Sequence, residues 1–251
     1  MPQSRPDQIR ALLKSIETGD PAAISVVNQA KYIQHNPQTQ EGSEGLEALF
    51  KRLSLTNPMV NIVRAFEDGD YVFGHTEYDF SSRRIGFEVF RYEDDRVVEH
   101  WDNIQPRQGP NPSGRTMVDG PTEATDLAAT EANRALVQRF IETVLIPRQF
   151  QDADAYFDDR KLVQHDSNLE DGLDALLASL GNEDAAKTYS RCHRVLAQGN
   201  FVLAVCEGYQ ANQHCAFYEM FRVHNGLLAE HWNTVEKVAP RDQWKNTNGK
   251  F

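Results

Sequence analysis

The sequence predicts an α+β fold present twice in tandem, each copy passing from about three helices into an antiparallel meander. Two observations carry most of this. FRYEDDRVVEHWDNIQ, Phe90 to Gln105, returns without a gap as FRVHNGLLAEHWNTVE, Phe221 to Glu236. Phe, Arg, Glu, His and Trp keep their places, too specific an order for an accident of composition. The match also runs backwards: Glu88 answers Glu219, Glu77 answers Glu207, Arg64 answers Arg194, and Asp68-Gly69-Asp70 answers Gln198-Gly199-Asn200. YIQHN at Tyr32 to Asn36 answers LVQHD at Leu162 to Asp166, and EGLEAL from Glu44 answers DGLDAL from Asp171. The spacing lengthens by one residue where Asp79 to Arg83 faces Gln210 to His214, a hairpin tip, where insertions are tolerated.

The elements follow in order. Asp7 is a candidate cap for a helix whose Ile9, Leu12, Leu13 and Ile16 share one face, and Gly19-Asp20-Pro21 ends it. Pro21 at a first helical position, with Ile24, Val26 and Val27, predicts a second helix leading into YIQHNP, where Pro37 stops regular structure. Leu46, Leu49, Phe50 and Leu53 give a third helix over Ser43 to Leu53. Strands are then predicted at Met59 to Glu67, Tyr71 to Phe80, Ile85 to Tyr92 and Arg96 to Gln105, joined by short polar turns.

The Pro- and Gly-rich stretch 106–121 reads as a linker between a first domain, 1–105, and a second, 122–251. The second repeats the plan: a helix through Leu136, Val137, Phe140, Ile141 and Val144, a short helix near Asp152 to Phe157, a helix over Leu169 to Leu180, then strands near Thr188 to Ala197, Phe201 to Tyr209, Cys215 to Val223 and Leu227 to Val238. The final QWKNTNGKF is polar and expected to be loose.

Composition narrows the function classes. A chain of 251 residues suits two domains of about 110 to 125 residues, each able to bury a core. A net charge of -11 with no Lys/Arg cluster argues against nucleic acid or an anionic membrane as partner. Cys192, Cys206 and Cys215 lack C-x-x-C spacing, so neither zinc nor a disulfide framework is expected, and buried or half-buried thiols in a reducing cytoplasm are the reading. MPQSRPDQIRALLKS has no apolar core of a signal peptide, and no run of about 18 apolar residues occurs.

With these residues in view, the Y-I-Q-H-N-P box at Tyr32 to Pro37 and the closing E-H-W-D at Glu99 to Asp102, behind three helices and before a sheet, resemble the SnoaL-like polyketide cyclase branch of the nuclear-transport-factor-2-like superfamily. The likeness covers most of both halves. It implies two tandem cone-shaped α+β barrels, in which a strongly curved antiparallel sheet wraps a helix and leaves a pocket. It also implies chemistry without a cofactor, His and carboxylates serving as acid and base in aldol cyclisation, isomerisation, dehydration or epoxide opening. Many relatives have no known activity, and fold alone constrains function weakly.

The residues themselves suggest a site. Alternation puts Val98, His100, Asp102 and Ile104 on one face of the last strand and Glu99, Trp101 and Asn103 on the other. Tyr71, Phe73, His75 and Glu77 share a face, as do Gly86, Glu88 and Phe90. If His75, Glu88, His100 and Asp102 point inward with His35 at the mouth, imidazoles and carboxylates meet within an aromatic wall, a setting that moves protons next to a carbonyl. His35, His75, His100 and Asp102 are the catalytic candidates; Tyr32, Asn36, Phe73, Glu88 and Trp101, with His165, Glu219 and His231 of the second copy, are the ligand-binding candidates. Blander roles compete. His35 and His165 can bond nearby backbone, His75 can be a core histidine, the tryptophans can be packing, and Glu99 and Glu230 are read as ion pairs of Arg91 and Arg222.

The second copy has Val205 where the first has His75, and Asn233 where it has Asp102, so any chemistry is expected in the first half, the second serving as its pseudo-symmetric partner in an intrachain pseudo-dimer. Further association of whole chains stays open. No metal motif of the H-x-x-x-H or H-E-x-x-H kind occurs, no G-x-S-x-G elbow and no phosphate loop, so neither metal nor cofactor is expected. The expected ligand is a small, largely apolar, carbonyl-bearing molecule, bound by an acid–base enzyme or by a non-catalytic module.

Overall fold

A computed structural model describes residues 3–181 and 187–251. The chain divides into two compact units, Met1–Arg107 together with Val238–Phe251, and Gln108–Lys237. These bounds differ from those read off the sequence in one instructive way. The stretch 108–121, expected to be a linker, groups with the second unit, and 238–251, expected to close the second domain, groups with the first.

In the first unit, α1 (Arg5–Lys14) starts at Ser4, whose hydroxyl accepts from the Asp7 N–H; the cap is therefore Ser4 rather than Asp7. A 3₁₀ segment (Pro21–Val26) replaces the second helix, with Asp20 capping it through the Ala22 N–H. Then come β1 (Ile33–Gln34), α2 (Gly42–Ser54), β2 (Met59–Asp68), β3 (Tyr71–Asp79), β4 (Arg83–Glu93) and β5 (Arg96–Pro106). The sheet order is β1-β5-β4-β3-β2, with β1 parallel to β5 and the other pairs antiparallel. Register shifts at Ile62/Arg64 and Arg91/Tyr92 mark bulges, which bend the sheet. One face takes the apolar stripe of α1 and of the turn after it: Ile9, Leu12, Leu13 and Ile16 pack with Val60, Val72, Tyr78 and Phe90. Each such buried side chain contributes about 1.5–3 kcal/mol, enough to hold a ten-residue helix that is marginal alone.

The second unit repeats the plan. α3 (Thr130–Phe140) runs into a π-helical turn (Ile141–Leu145), followed by a 3₁₀ segment (Phe150–Tyr156), β6 (Val163–Gln164), α4 (Leu173–Gly181), β7 (Lys187–Gln198), β8 (Phe201–Gln210), β9 (Gln213–His224) and β10 (Leu227–Lys237). The order β6-β10-β9-β8-β7 mirrors the first sheet strand for strand. Val137, Phe140, Ile141 and Val144 pack on Ala197, Val202, Ala204, Phe217 and Phe221. Both units are thus the helix-wrapping curved sheets that the sequence predicts. The short parallel strands β1 and β6, inside the Q-H box, are the elements the sequence did not announce. No described helix is long and apolar enough to cross a membrane.

Candidate functional site

Cross-strand register decides which side chains meet. On the helix-covered face of the first sheet, one row reads Ala65, Gly74, Glu88, Asp102 and the next Val72, Phe90, His100. Glu88, His100 and Asp102 are all buried, and one ligand atom from each lies within 4.8 Å of the others. The Tyr78 hydroxyl donates to Glu88 Oε1 at 2.7 Å, and His100 Nε2 lies 2.7 Å from Glu88 Oε2. His100 Nδ1 lies 3.1 Å from Gln34 Oε1, while Phe90 stacks on the imidazole at 4.4 Å.

These contacts fix proton positions. Gln34 Oε1 also accepts the Asn36 backbone N–H at 2.9 Å, so it is the amide oxygen that faces the ring. His100 Nδ1 must then carry a proton, leaving Nε2 to share the second proton with Glu88. Burial, then the charge of Glu88, pushes the Tyr78 phenol well above its ordinary range, so Tyr78 stays a donor.

The second unit contains the same relay. His231 Nε2 meets Glu219 Oε2 at 2.6 Å and His231 Nδ1 meets Gln164 Oε1 at 2.9 Å, the latter again pinned by the backbone N–H groups of His165 and Asp166. Tyr189 donates to Glu219 Oε1 at 2.7 Å. Tyr189 stands on β7, whereas Tyr78 stands on β3. The repeat partner of Tyr78 is Gly208, paired directly with Tyr189, and a Cβ there would stand 1.9 Å from the Thr188 carbonyl oxygen. Burial pushes the Glu219 carboxyl up, but the hydrogen bond and charge of His231 and the charge of Lys187 outweigh it, and the net direction is down.

Beside each relay lies an amide–carboxylate pair with its members exchanged. In the first unit Asn36 Nδ2 donates to Asp102 Oδ2 at 2.7 Å; in the second Asn233 Nδ2 donates to Asp166 Oδ2 at 2.9 Å. Each carboxylate also meets a buried ammonium. Lys250 Nζ lies 2.8 Å from the Asp102 carbonyl oxygen and 3.4 Å from Oδ1, and Lys187 Nζ lies 3.1 Å from Asp166 Oδ2. Burial opposes ionisation of Asp166, yet the charge of Lys187 and the Asn168 and Asn233 donors hold it far below the ordinary carboxyl value. The carboxylate missing at Asn233 thus has a substitute in the second unit. Asp166, five residues earlier than DGLDAL in the Q-H-D box, supplies it.

Several predicted site residues lie elsewhere. His75 pairs with Phe87 in the row Arg64, His75, Phe87, Asn103, stacks on Phe87 at 4.4 Å, and leaves the sheet on the face opposite His100 and Asp102. Phe73 and Trp101 share that face through Val89. Alternation within a strand says which residues travel together, not which set turns inward, and the inward set of β3 is Gly74, Thr76 and Tyr78. His35 does not stand at a mouth: it stacks on Trp101 at 4.5 Å, its Nδ1 donates to the Gly249 carbonyl at 2.9 Å, and Nε2 meets Glu99 Oε1 at 2.8 Å. His165 repeats this with Trp232 at 4.6 Å, Thr116 O at 2.7 Å and Glu230 at 2.8 Å. The expected ion pairs are present, Arg91 Nε–Glu99 at 2.6 Å and Arg222 Nε–Glu230 at 2.7 Å. His35 and His165 thus anchor segments 238–251 and 108–121 within their units.

Tyr78, Gln34, Lys250 and their counterparts Tyr189, Gln164 and Lys187 escaped prediction. Gln34 and Gln164 had a signal, identity at repeat-equivalent positions. The tyrosines and lysines had none, because neither pair occupies equivalent positions. Glu88, His100 and Asp102 are close enough to hold a divalent ion in principle, but Lys250 already places a positive charge on Asp102. A cleft of about 570 Å³ in the second unit, lined by Leu162, Arg222, His224 and Leu228 among others, contains neither Glu219 nor His231.

No protein-family model matches the chain, and no curated protein matches it. Solved structures do. A candidate ketosteroid isomerase from Kribbella flavida aligns at 16% identity and TM-score 0.39, over 45% of this chain and 83% of its own. IdmH, a candidate polyketide cyclase from Streptomyces antibioticus, aligns at 17% identity and TM-score 0.36, over 41% of this chain and 93% of its own. An NTF2-like protein of unknown function from Cytophaga hutchinsonii aligns at 16% identity and TM-score 0.38, over 42% and 94%.

Proposed function

We propose that the chain binds a small, largely apolar, carbonyl-bearing molecule on the helix-covered face of the first unit and moves protons on it without a cofactor, as an isomerase, dehydratase or aldol-type cyclase does. The observation that supports this is the 2.7 Å contact between His100 Nε2 and Glu88 Oε2 beside the Asp102 carboxyl group. A base and an acid within a few ångströms of each other are what enolisation needs. In the reaction, Asp102 takes the proton next to the carbonyl, and His100 Nε2 gives its proton to the enolate oxygen. His100 keeps the Nδ1 proton that Gln34 holds, and Glu88 remains a carboxylate stabilised by Tyr78. Proton return to a different carbon completes an isomerisation; attack of the enolate on a second carbonyl completes a cyclisation. The second unit has the same His–Glu pair, but the charge of Lys187 holds the neighbouring Asp166 far below the ordinary carboxyl value and makes it a poor base.

The test is hydrogen–deuterium exchange into a panel of enolisable ketones in D₂O, followed by NMR. Asp102→Asn and Glu88→Gln are expected to lower any exchange above buffer by about 10²–10⁴-fold while the protein stays folded by circular dichroism. Exchange that survives both substitutions, and their equivalents in the second unit, would sink the proposal. One observation favours a second reading, a non-catalytic binding module: the relay Tyr78–Glu88–His100–Gln34 is closed by hydrogen bonds within the unit, as structural polar cores are. Ketones that raise the melting temperature yet never exchange would favour the module.

A further inference from the structure

The row of side chains between the relay tyrosine and the relay glutamate separates the two units. In the first unit it reads Ile62, Thr76, Gly86, Ile104. In the second it reads Cys192, Cys206, Phe217, Val235. Cys192 and Cys206 are direct partners across β7 and β8, so both side chains leave the sheet on the same, helix-covered face. Directly opposed residues of an antiparallel pair have Cα atoms about 4.5–5.5 Å apart, inside the span of about 4.4–6.8 Å that a disulfide bridges. Both thiols are free, and the Cys192 thiol donates to the Arg194 carbonyl at 3.6 Å.

Three further features bear on reactivity. β7 is an edge strand, and Cys192 is half-buried while Cys206 is fully buried, so a reagent meets Cys192 first. The neighbouring Cys206 thiol lowers the Cys192 thiol against the opposing effect of burial, and Cys192 together with burial raises Cys206. This divides the pair into an attacking and a resolving thiol. Register shifts at Tyr189/Arg191 and Cys192/Arg194 flank Cys192 on both sides, and a strand interrupted by bulges adjusts locally without moving the whole ladder.

We propose that Cys192 and Cys206 form a thiol–disulfide site, closed by exchange with a low-molecular-weight disulfide of the glutathione type. The Cys192 thiolate attacks one sulfur of oxidised glutathione; the S–S bond breaks, one glutathione leaves as thiolate and takes a proton, and a mixed disulfide remains on Cys192. The Cys206 thiol gives up its proton and attacks the Cys192 sulfur, releasing the second glutathione. Two protein thiols are oxidised and one small disulfide is reduced to two thiols. The bridge joins the edge strand that carries Tyr189 to β8, one row from Glu219. The acid–base reading is not needed for any step.

The experiment treats the full chain with oxidised glutathione, quenches with acid, counts free thiols under denaturing conditions and maps peptides by mass spectrometry. Of the 3 cysteines, only Cys215 is expected to stay titratable, with the mass lower by two hydrogens and no glutathione retained. Digestion needs trypsin together with a glutamyl endopeptidase, because cleavage after Glu207 is what parts Cys206 from Cys215. Cys206→Ser should trap a glutathione adduct on Cys192, and Cys215→Ser should close as the unsubstituted protein does. A lasting adduct on Cys192 in the unsubstituted protein, a bridge to Cys215, or all thiols surviving a large excess of oxidised glutathione would each overturn the site.

Discussion

The two units keep one Glu–His–Gln core and assemble the rest of the site from different positions. Glu88, His100 and Gln34 occupy the same repeat positions as Glu219, His231 and Gln164, and their distances agree within a few tenths of an ångström. The phenol that caps the glutamate comes from β3 in one unit and β7 in the other. The carboxylate comes from β5 in one and from the Q-H-D box in the other. The ammonium comes from residue 250 in one and from the first residue of β7 in the other. What persists is the set of interactions a buried histidine–carboxylate pair requires, a tautomer-fixing amide, a phenolic donor and a neutralised second carboxylate. Which residue supplies each has drifted, because an unpaired buried charge is costly wherever it arises.

That comparison can be broken first at the glutamates. Glu219→Ala leaves the Tyr189 hydroxyl and His231 Nε2 without their acceptor, and is expected to cost about 3–5 kcal/mol in urea unfolding. Glu88→Ala should cost a similar amount, so a loss below about 1 kcal/mol in either unit would show that the relays are not equivalent. Next is the exchange of amide and carboxylate. Asp102→Asn alone leaves Lys250 beside two amides, with an expected loss of about 2–3 kcal/mol, whereas Asn36→Asp with Asp102→Asn rebuilds the second unit's arrangement and should recover most of it. An additive double variant would mean that the two pairs are not interchangeable.

Acid provides a smaller and graded effect. Glu219 and Asp166 have folded values below their ordinary 4.5 and 3.8, so their contribution is complete above those values and is lost as pH falls through the lower folded ones. Lys187→Met removes the charge that holds Asp166 down, and should flatten the decline in stability measured between about pH 5 and about pH 2. An unchanged slope would place the acid sensitivity elsewhere. The smallest change is at the edge of the first unit. Asn246 Nδ2 donates to the carbonyls of Asn36 and Thr39, and Asn246→Ala should cost about 1–2 kcal/mol, seen as loosening of residues 238–251 by hydrogen exchange.

Much of this architecture was legible in the sequence. The β-meanders fall within a residue or two of their predicted bounds because period-two alternation and short polar turns such as Asp68-Gly69-Asp70 leave little choice. Glu88, His100 and Asp102, to which repeat identity and alternation pointed, were brought together by the fold, as were Glu219 and His231. His75 was not, because which face turns inward depends on bulges and helix packing that alternation does not encode. Lys250 was invisible for a different reason. It belongs to a polar stretch without periodicity, and nothing local shows that QWKNTNGKF has a carboxylate waiting for it. The opposite mistake occurred at Asn233, where the amide signalled a loss that a residue 67 positions earlier makes good.

The grouping of residues 238–251 with the first unit has a consequence for biosynthesis. Domains usually mature in the order in which they leave the ribosome, but here everything between Gln108 and Lys237 is made before Gly249 and Lys250 exist to receive His35 and Asp102. The half translated earliest is therefore the one completed last. Chains truncated after Lys237 and released should resist protease in the later half while the earlier one is still being cut.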